Sequence, residues 1–405
     1  MAIYGRRTAE LLSIVALFLT PSIAMVLGGF QGFYLTYSVW SFVIALSIPF
    51  VVFRRGLGSI ETHNSLTVAL VLISLYTFLG FVFGFAARPS LTFFSFLSGL
   101  AVFLVRILGV EVARSMAMGL ARKRFVMLLI GTVVGMFFGE TIPSIVNYVQ
   151  HTLLSPINMI SDFVYSFTIS LIHLHGGFLP ALVFRTVVDG YWRFSPLALD
   201  TSSLGVAWKA LSALTYYVVA TYIDSSTPKL KHFAKNVFKR GSVRRFLGIA
   251  IDAAIFVTIF LILYSIYMKI IPLVVISESM VPTLYVGDIV LVDTKKPLDV
   301  SIGDIVVFKI ENKVVVHRVI EVYSHDVRTK GDNNPNPDPF IVPTDNIIGK
   351  VVGRIPRLGL VTIFFRQNII KIVQKLDMFL MLFSTTLILV ISGIMILYLK
   401  RNTFI

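Results

Sequence analysis

Long, almost uninterrupted apolar stretches recur along this sequence, each about the length of a membrane-crossing helix. This feature leaves few folds open. Inside a bilayer no water is available to satisfy backbone N–H and C=O groups, so a span of about 20 residues must be helical. Candidate spans are 10–30, 33–53, 65–86, 91–112, 125–145, 204–223, 247–272 and 376–399, about eight in all. Apolar residues make up 56% of the 405 residues without glycine, and charged residues 14%. A soluble domain has about 45–50% apolar residues with glycine included, and about 25% charged. An ordinary soluble protein and a disordered one are both excluded. Residues 146–203 hold shorter apolar stretches interrupted by Arg185, Asp189 and Arg193. They are expected to form an extracytoplasmic or re-entrant subdomain, with a ninth and tenth span as the alternative. The first stretch follows Arg6 and Arg7 and has small residues at Ser22–Ala24, as a signal peptide would. Its apolar run continues to Phe30 and further spans follow, so it is read as a retained helix.

The net charge is +15, from 36 Lys and Arg against 21 Asp and Glu. In a membrane protein such an excess belongs to cytoplasmic loops. Arg6 and Arg7, Arg54 and Arg55, the group from Arg114 to Arg124, the group from Lys229 to Arg245, and Lys400 with Arg401 all fall on one side of an eight-span chain. Both termini are therefore expected in the cytoplasm, and residues 273–375 outside it, in a multi-pass protein of the cell membrane. No nucleic-acid partner is expected. Cysteine is absent, which excludes disulfides, zinc–thiolate sites and a cysteine nucleophile.

The outside segment has a β pattern. Asp288–Asp293 and Asp304–Ile310 are short Val/Ile runs, and Lys313–Tyr323 follows the second after a short polar turn, as in a hairpin. Ile347–Ile355 is a further strand candidate, and glycines and prolines punctuate the rest. The expected organisation is a membrane domain over 1–245, a membrane helix over 246–272, an all-β domain over 273–375, and a C-terminal helix with a basic tail over 376–405.

The β segment contains serines at 277 and 279, histidines at 317 and 325, and aspartates at 332 and 338 in a loop of turn formers. A serine, a histidine and an aspartate from separate segments are what acyl transfer requires: a nucleophile, its base, and a carboxylate that fixes the imidazole tautomer. Residue types alone are a weak signal, because most domains of this size contain all three.

The motifs narrow the reading. Ser277-Glu-Ser-Met-Val-Pro-Thr-Leu284, Val316-His-Arg-Val319 and Lys330-Gly-Asp-Asn-Asn334, in this order, resemble the boxes of type I signal peptidases, and so does the Val286-Gly-Asp-Ile289 turn. The bacterial branch has a lysine directly before the arginine of the second box. Here His317 stands there, which is similar to the archaeal and endoplasmic-reticulum branch. The resemblance covers roughly residues 260–375 and the helix before them, and leaves 1–245 uncovered. It implies a catalytic β domain of signal-peptidase type with Ser279 as nucleophile, His317 as general base, and Asp338 as the triad acid. It also implies Asp332 as a supporting acid and Ser277 as an oxyanion-hole hydroxyl. Asp332 and Asp338 remain alternatives for the triad acid. Glu278 departs from the family, which usually has glycine there, and so does Val281. The implied activity is a serine endopeptidase that removes signal peptides from exported preproteins at the outer membrane face, after small residues. No metal or organic cofactor is implied. The expected partners are preprotein signal peptides, membrane lipid and the protein translocation channel.

Each role also fits the residue type. Histidine titrates near neutrality, so it serves as a base without special burial. A hydroxyl aimed at an oxyanion contributes about 3–4 kcal/mol. Other candidates are His173 and His175 with His151 and Glu140 as metal ligands, and the ionisable residues Arg106, Glu111, Lys209 and Asp252 in or near spans. Most of these last lie close to predicted span ends, where long side chains reach the interface. One alternative reading makes the bundle a transporter or translocation partner and the β domain regulatory. Another dedicates the peptidase to one class of surface or pilin-like substrates.

Overall fold

The computed structural model describes residues 2–52, 62–87, 93–154, 156–201, 204–224, 241–295, 299–311, 313–365 and 367–368. Its helices are α1 (Ala2–Leu27), α2 (Gly29–Val52), α3 (Thr62–Phe83), α4 (Phe93–Leu120), α5 (Arg124–Phe137), α6 (Ile142–Leu154), α7 (Pro156–Gly176), α8 (Phe178–Phe194), α9 (Gly205–Asp224) and α10 (Gly241–Met268). Five of them, α1 to α4 and α10, are long and apolar enough to cross a membrane.

The expectation of about eight spans is not reached among the described residues. The stretch 125–145 is not one straight helix, because α5 and α6 are bent against each other by 103°. Counting that pair as a span gives 6. Helix α9 matches the span expected at 204–223, but Lys209, Tyr216, Tyr217 and Tyr222 dilute its apolar character. The span expected at 376–399 and the basic stretch 229–240 lie outside the described residues. The span expected at 247–272 ends early: α10 stops at Met268, Lys269 takes φ of 55°, and the chain turns into a strand.

Residues 146–203 differ most from expectation. Helices α7 and α8 pack within the bundle, where Ile169, Ile172, Phe184 and Val188 share a buried cluster with Tyr76 of α3 and Tyr216 of α9. Polar side chains of α7 are satisfied inside this packing. Thr168 Oγ1 reaches the carbonyls of Val164 and Tyr216 at 2.7 and 3.0 Å, and Ser161 meets Ser212 of α9 at 2.8 Å. Small hydroxyl residues let membrane helices approach closely. They also lower the hydropathy of the stretch, which hides it from a reading by apolar runs.

Among the described residues seven strands follow: β1 (Ile270–Val274), β2 (Ile289–Asp293), β3 (Ile305–Ile310), β4 (Lys313–Val322), β5 (Asp326–Lys330), β6 (Ile341–Pro343) and β7 (Ile347–Ile355). They form one antiparallel sheet in the order β1-β2-β7-β3-β4-β5-β6. The four strands expected from the sequence are β2, β3, β4 and β7, and the expected hairpin pairs Ile310 with Lys313. Two apolar clusters fill the domain. One gathers Ile271, Leu273, Met280, Val290, Val292 and Val307; the other gathers Val306, Phe308, Val319, Val327 and Val342. Gly349 lets β7 pass close to β2, since a Cβ there would lie 2.2 Å from the Asp293 carbonyl oxygen.

The sheet domain also touches the bundle beyond α10. Thr362 Oγ1 donates to the Phe81 carbonyl at 3.1 Å, Phe365 packs edge-on against Phe83, and Ala87 packs on the cluster that contains Met280.

Candidate active site

Ser279 follows β1 in a turn that its neighbour anchors. Met280 is 1% exposed in the core, and the Leu284 N–H donates to its carbonyl at 2.9 Å. The Asn333 N–H donates to the Ser279 carbonyl at 2.8 Å, and Asn333 Nδ2 donates to the Glu278 carbonyl at 3.3 Å. Gly331 makes this approach of two loops feasible. A Cβ on it would lie 2.7 Å from the Ser279 carbonyl oxygen.

His317 lies in the middle of β4, opposite Val306. The residue is 8% exposed, with Phe308 edge-on to its ring at a centroid distance of 6.3 Å. Nε2 is 3.2 Å from Ser279 Oγ, and Nδ1 is 2.7 Å from Asp338 Oδ2. A carboxylate only accepts, so Nδ1 carries the proton and Nε2 is left to accept from the serine hydroxyl. Asp338 is itself held. Its N–H donates to the Thr329 carbonyl at 2.9 Å, and Thr329 Oγ1 donates to Oδ2 at 2.6 Å. Thr329 is fully buried on β5.

Asp332 stands apart from this row. It receives Arg318 Nε on Oδ1 at 2.8 Å and Arg318 Nη2 on Oδ2 at 2.7 Å, with Thr283 Oγ1 on Oδ2 at 2.5 Å. Arg318 Nη1 donates to the Gly303 carbonyl at 2.7 Å. The guanidinium holds the Asp332 carboxyl below the usual carboxylate range, and its own pKa is raised in return. This two-pronged pair ties the loop of the third box to β4 and to the segment after Ser279. Ser277 is exposed, with its hydroxyl 3.2 Å from Ser279 Oγ. All five residues expected from the sequence thus lie in one neighbourhood, Ser279, His317 and Asp338 in a single row. Thr329 and Thr283 were not expected. Thr329 belongs to no motif, and Thr283 lies in the first box without a role that the resemblance implies; only the fold brings them to the carboxylates.

The remaining candidates separate. His173 lies against Glu111, 3.9 Å away, and no group of three or more potential metal ligands occurs among the described residues. Glu111 is not at a helix end, because α4 runs on to Leu120. It is fully buried between Arg114 and Arg185, 3.2 Å from each. Arg106 faces Glu140, Lys209 faces Asp162, and Asp252 is exposed on α10.

A serine, a histidine and a carboxylate in hydrogen-bonded sequence, on an antiparallel sheet joined to a membrane bundle, have the layout of a serine hydrolase, which geometry rather than sequence position identifies. Comparison with known proteins narrows this class. Residues 262–352 match the Peptidase S24-like family. The signal peptidase complex catalytic subunit sec11 of Dictyostelium discoideum is 38% identical across 22% of this chain and 58% of that protein. The SEC11 subunit of Lachancea thermotolerans is 34% identical across 24% of this chain and 66% of its own length. The sec11 subunit of Schizosaccharomyces pombe is 33% identical across 22% and 65%. Through its sheet domain the chain is related to the type I signal peptidases, of the endoplasmic-reticulum kind. It spans less than two thirds of the length of these curated relatives.

Proposed function

We propose that the protein is a membrane-bound serine endopeptidase that removes signal peptides from preproteins at the outer face of the membrane. The observation that carries this is the row Ser279 Oγ, His317 Nε2, His317 Nδ1, Asp338 Oδ2, closed at 3.2 and 2.7 Å. Ser279 attacks the carbonyl carbon of the scissile bond as its proton passes to His317 Nε2. The imidazolium is stabilised by Asp338 and returns the proton to the leaving amine. Water, deprotonated by the same imidazole, then hydrolyses the ester. Ser277 and the Ser279 N–H are assigned to the developing oxyanion. Asp332 is assigned a positioning role through Arg318 and Thr283. In this reading the sheet domain that begins at Ile270 is the catalytic domain, residues 1–245 and α10 hold it in the membrane, and both termini are cytoplasmic. The related sec11 subunits support the substrate class. An extended peptide is expected to bind along a strand edge with small side chains in shallow pockets, delivered by a translocation channel.

The test is cleavage of a preprotein with an Ala-x-Ala site by the full chain in lipid. Wild type is expected to cut after the small residue, and Ser279→Ala to leave the substrate intact with unchanged unfolding temperature. Cleavage that persists in Ser279→Ala overturns the assignment.

A further inference from the structure

We propose that the membrane bundle contains a binding site for the zwitterionic headgroup of a membrane lipid, in a cavity at the bend between α5 and α6. The cavity has a volume of about 530 Å³, within the range of about 300–1,000 Å³ usual for ligand sites. Val110, Met136 and Ile145 form an apolar part of its wall, while Arg106, Glu140, Asp162 and Arg185 form a charged part. Such a two-sided lining suits an amphiphile.

The bend is an independent argument. In a bilayer, non-helical backbone is tolerated only where it is covered by protein or lines a cavity. Here the 103° break separates Phe137 from Ile142, and Phe137, Phe138 and Glu140 at the break all line the cavity. Broken helices at membrane depth form the ligand sites of many transporters.

The charges indicate what fits. Arg185 gives Nε to Asp189 at 3.0 Å and Nη1 to Glu111 at 3.2 Å, and these two contacts leave Nη2 over. Arg114, fully buried, gives Nη1 to the Gly131 and Ser166 carbonyls at 3.0 and 2.9 Å. Its Nη2 has no hydrogen-bond partner among the described residues. It lies behind Gly135, a cavity-lining residue whose Cβ would fall 2.0 Å from it. Glycine therefore keeps the wall thin over an unsatisfied guanidinium nitrogen. The rim pairs are looser: Arg106 with Glu140 and Lys209 with Asp162, both at 3.8 Å. A simple anion in this cavity would meet Glu140 and Asp162, and a simple cation would meet Arg106 and Arg185. A group that carries both a phosphate and an ammonium matches both sets. The phosphate takes the Arg106 guanidinium and the remaining Nη2 of Arg185, and the ammonium takes the carboxylates.

The experiment uses the full chain, delipidated in a neutral maltoside detergent. Thermal unfolding is followed while short-chain phosphatidylethanolamine, short-chain phosphatidylglycerol or free phosphoethanolamine is added. Phosphatidylethanolamine is expected to raise the unfolding temperature saturably. Phosphatidylglycerol should act at about tenfold higher concentration, and free phosphoethanolamine should have no effect. Equal response to the two lipids overturns the zwitterion assignment, and an equal response to free phosphoethanolamine overturns the lipid assignment. Arg106→Gln and Asp162→Asn, at rim side chains 56% and 44% exposed, should each weaken the phosphatidylethanolamine response about tenfold. Wild-type response in both overturns the location. Should either fail to fold, Ser144→Phe fills the cavity without altering a charge, and loss of the response is again expected.

Discussion

Thr329→Val tests whether the tautomer-fixing carboxylate depends on its own support. The substitution keeps the shape of a fully buried side chain and deletes one donor, the 2.6 Å hydrogen bond to Asp338 Oδ2. The His317 Nδ1 contact and the Asp338 N–H bond remain, so the carboxylate keeps its place but loses one clamp. A hydrogen bond to a charged group is worth about 1.5–3 kcal/mol. At about 1.36 kcal/mol per tenfold of rate, complete expression in the transition state gives a loss of about ten- to a hundredfold in kcat/KM. The expected loss sits near the lower end, because the bond also exists before His317 is protonated and only its strengthening counts. The assay is preprotein cleavage by the full chain in lipid, with Thr329→Ser as the control that restores the hydroxyl. A Thr329→Val protein that cuts at the wild-type rate, or a Thr329→Ser protein as impaired as Thr329→Val, refutes the reasoning.

Two further outcomes follow from the same geometry. Gly331→Ala puts a Cβ at 2.7 Å from the Ser279 carbonyl oxygen, so the nucleophile turn must shift. A displacement approaching 1 Å costs about a hundredfold in rate, read in cleavage assays as a fall in kcat with little change in KM. Asp332→Asn breaks the charged pair with Arg318 and should destabilise the sheet domain by about 1–3 kcal/mol in denaturant unfolding at neutral pH. The sign with pH is set by the lowered Asp332 pKa. Its contribution is present above the unfolded carboxyl value near 3.9 and is lost as pH falls through the lower folded value, so the wild-type advantage over Asp332→Asn should shrink in that acid range.

The candidate site was legible because all its residues but Asp338 lie in three short boxes whose order survives in one dimension, and Asp338 follows the third box by four residues. What the sequence left open was which aspartate serves His317. Both acids sit in the same loop of turn formers, and local pattern treats them alike. The fold separates them through β4. Successive residues of a strand point to opposite faces, so His317 and the adjacent Arg318 each take one carboxylate. Strand β1 was hidden for a different reason. Ile270–Val274 is apolar and continues the run of α10, so periodicity alone cannot mark where helix ends and strand begins. Helix α7 was hidden because its serines and threonines pair with other helices, and a hydropathy sum charges them as if they faced lipid.

The remaining question is why the sheet domain should rest on so large a bundle, and the contacts at α3 bear on it. A domain tethered only through α10 could pivot about Lys269. The hydrogen bond from Thr362 to the Phe81 carbonyl and the packing of Ala87 supply a second attachment, and two attachments remove that rotation. Ala87 packs on the cluster that contains Met280, the residue next to Ser279. The height of the nucleophile over the bundle is therefore set by packing. On the proposed function this matters, because a substrate anchored by its own membrane helix presents its scissile bond at a fixed depth. Holding both partners at matching depth replaces a search in three dimensions by one in the membrane plane, and that pre-orientation is a source of rate that no residue of the triad supplies.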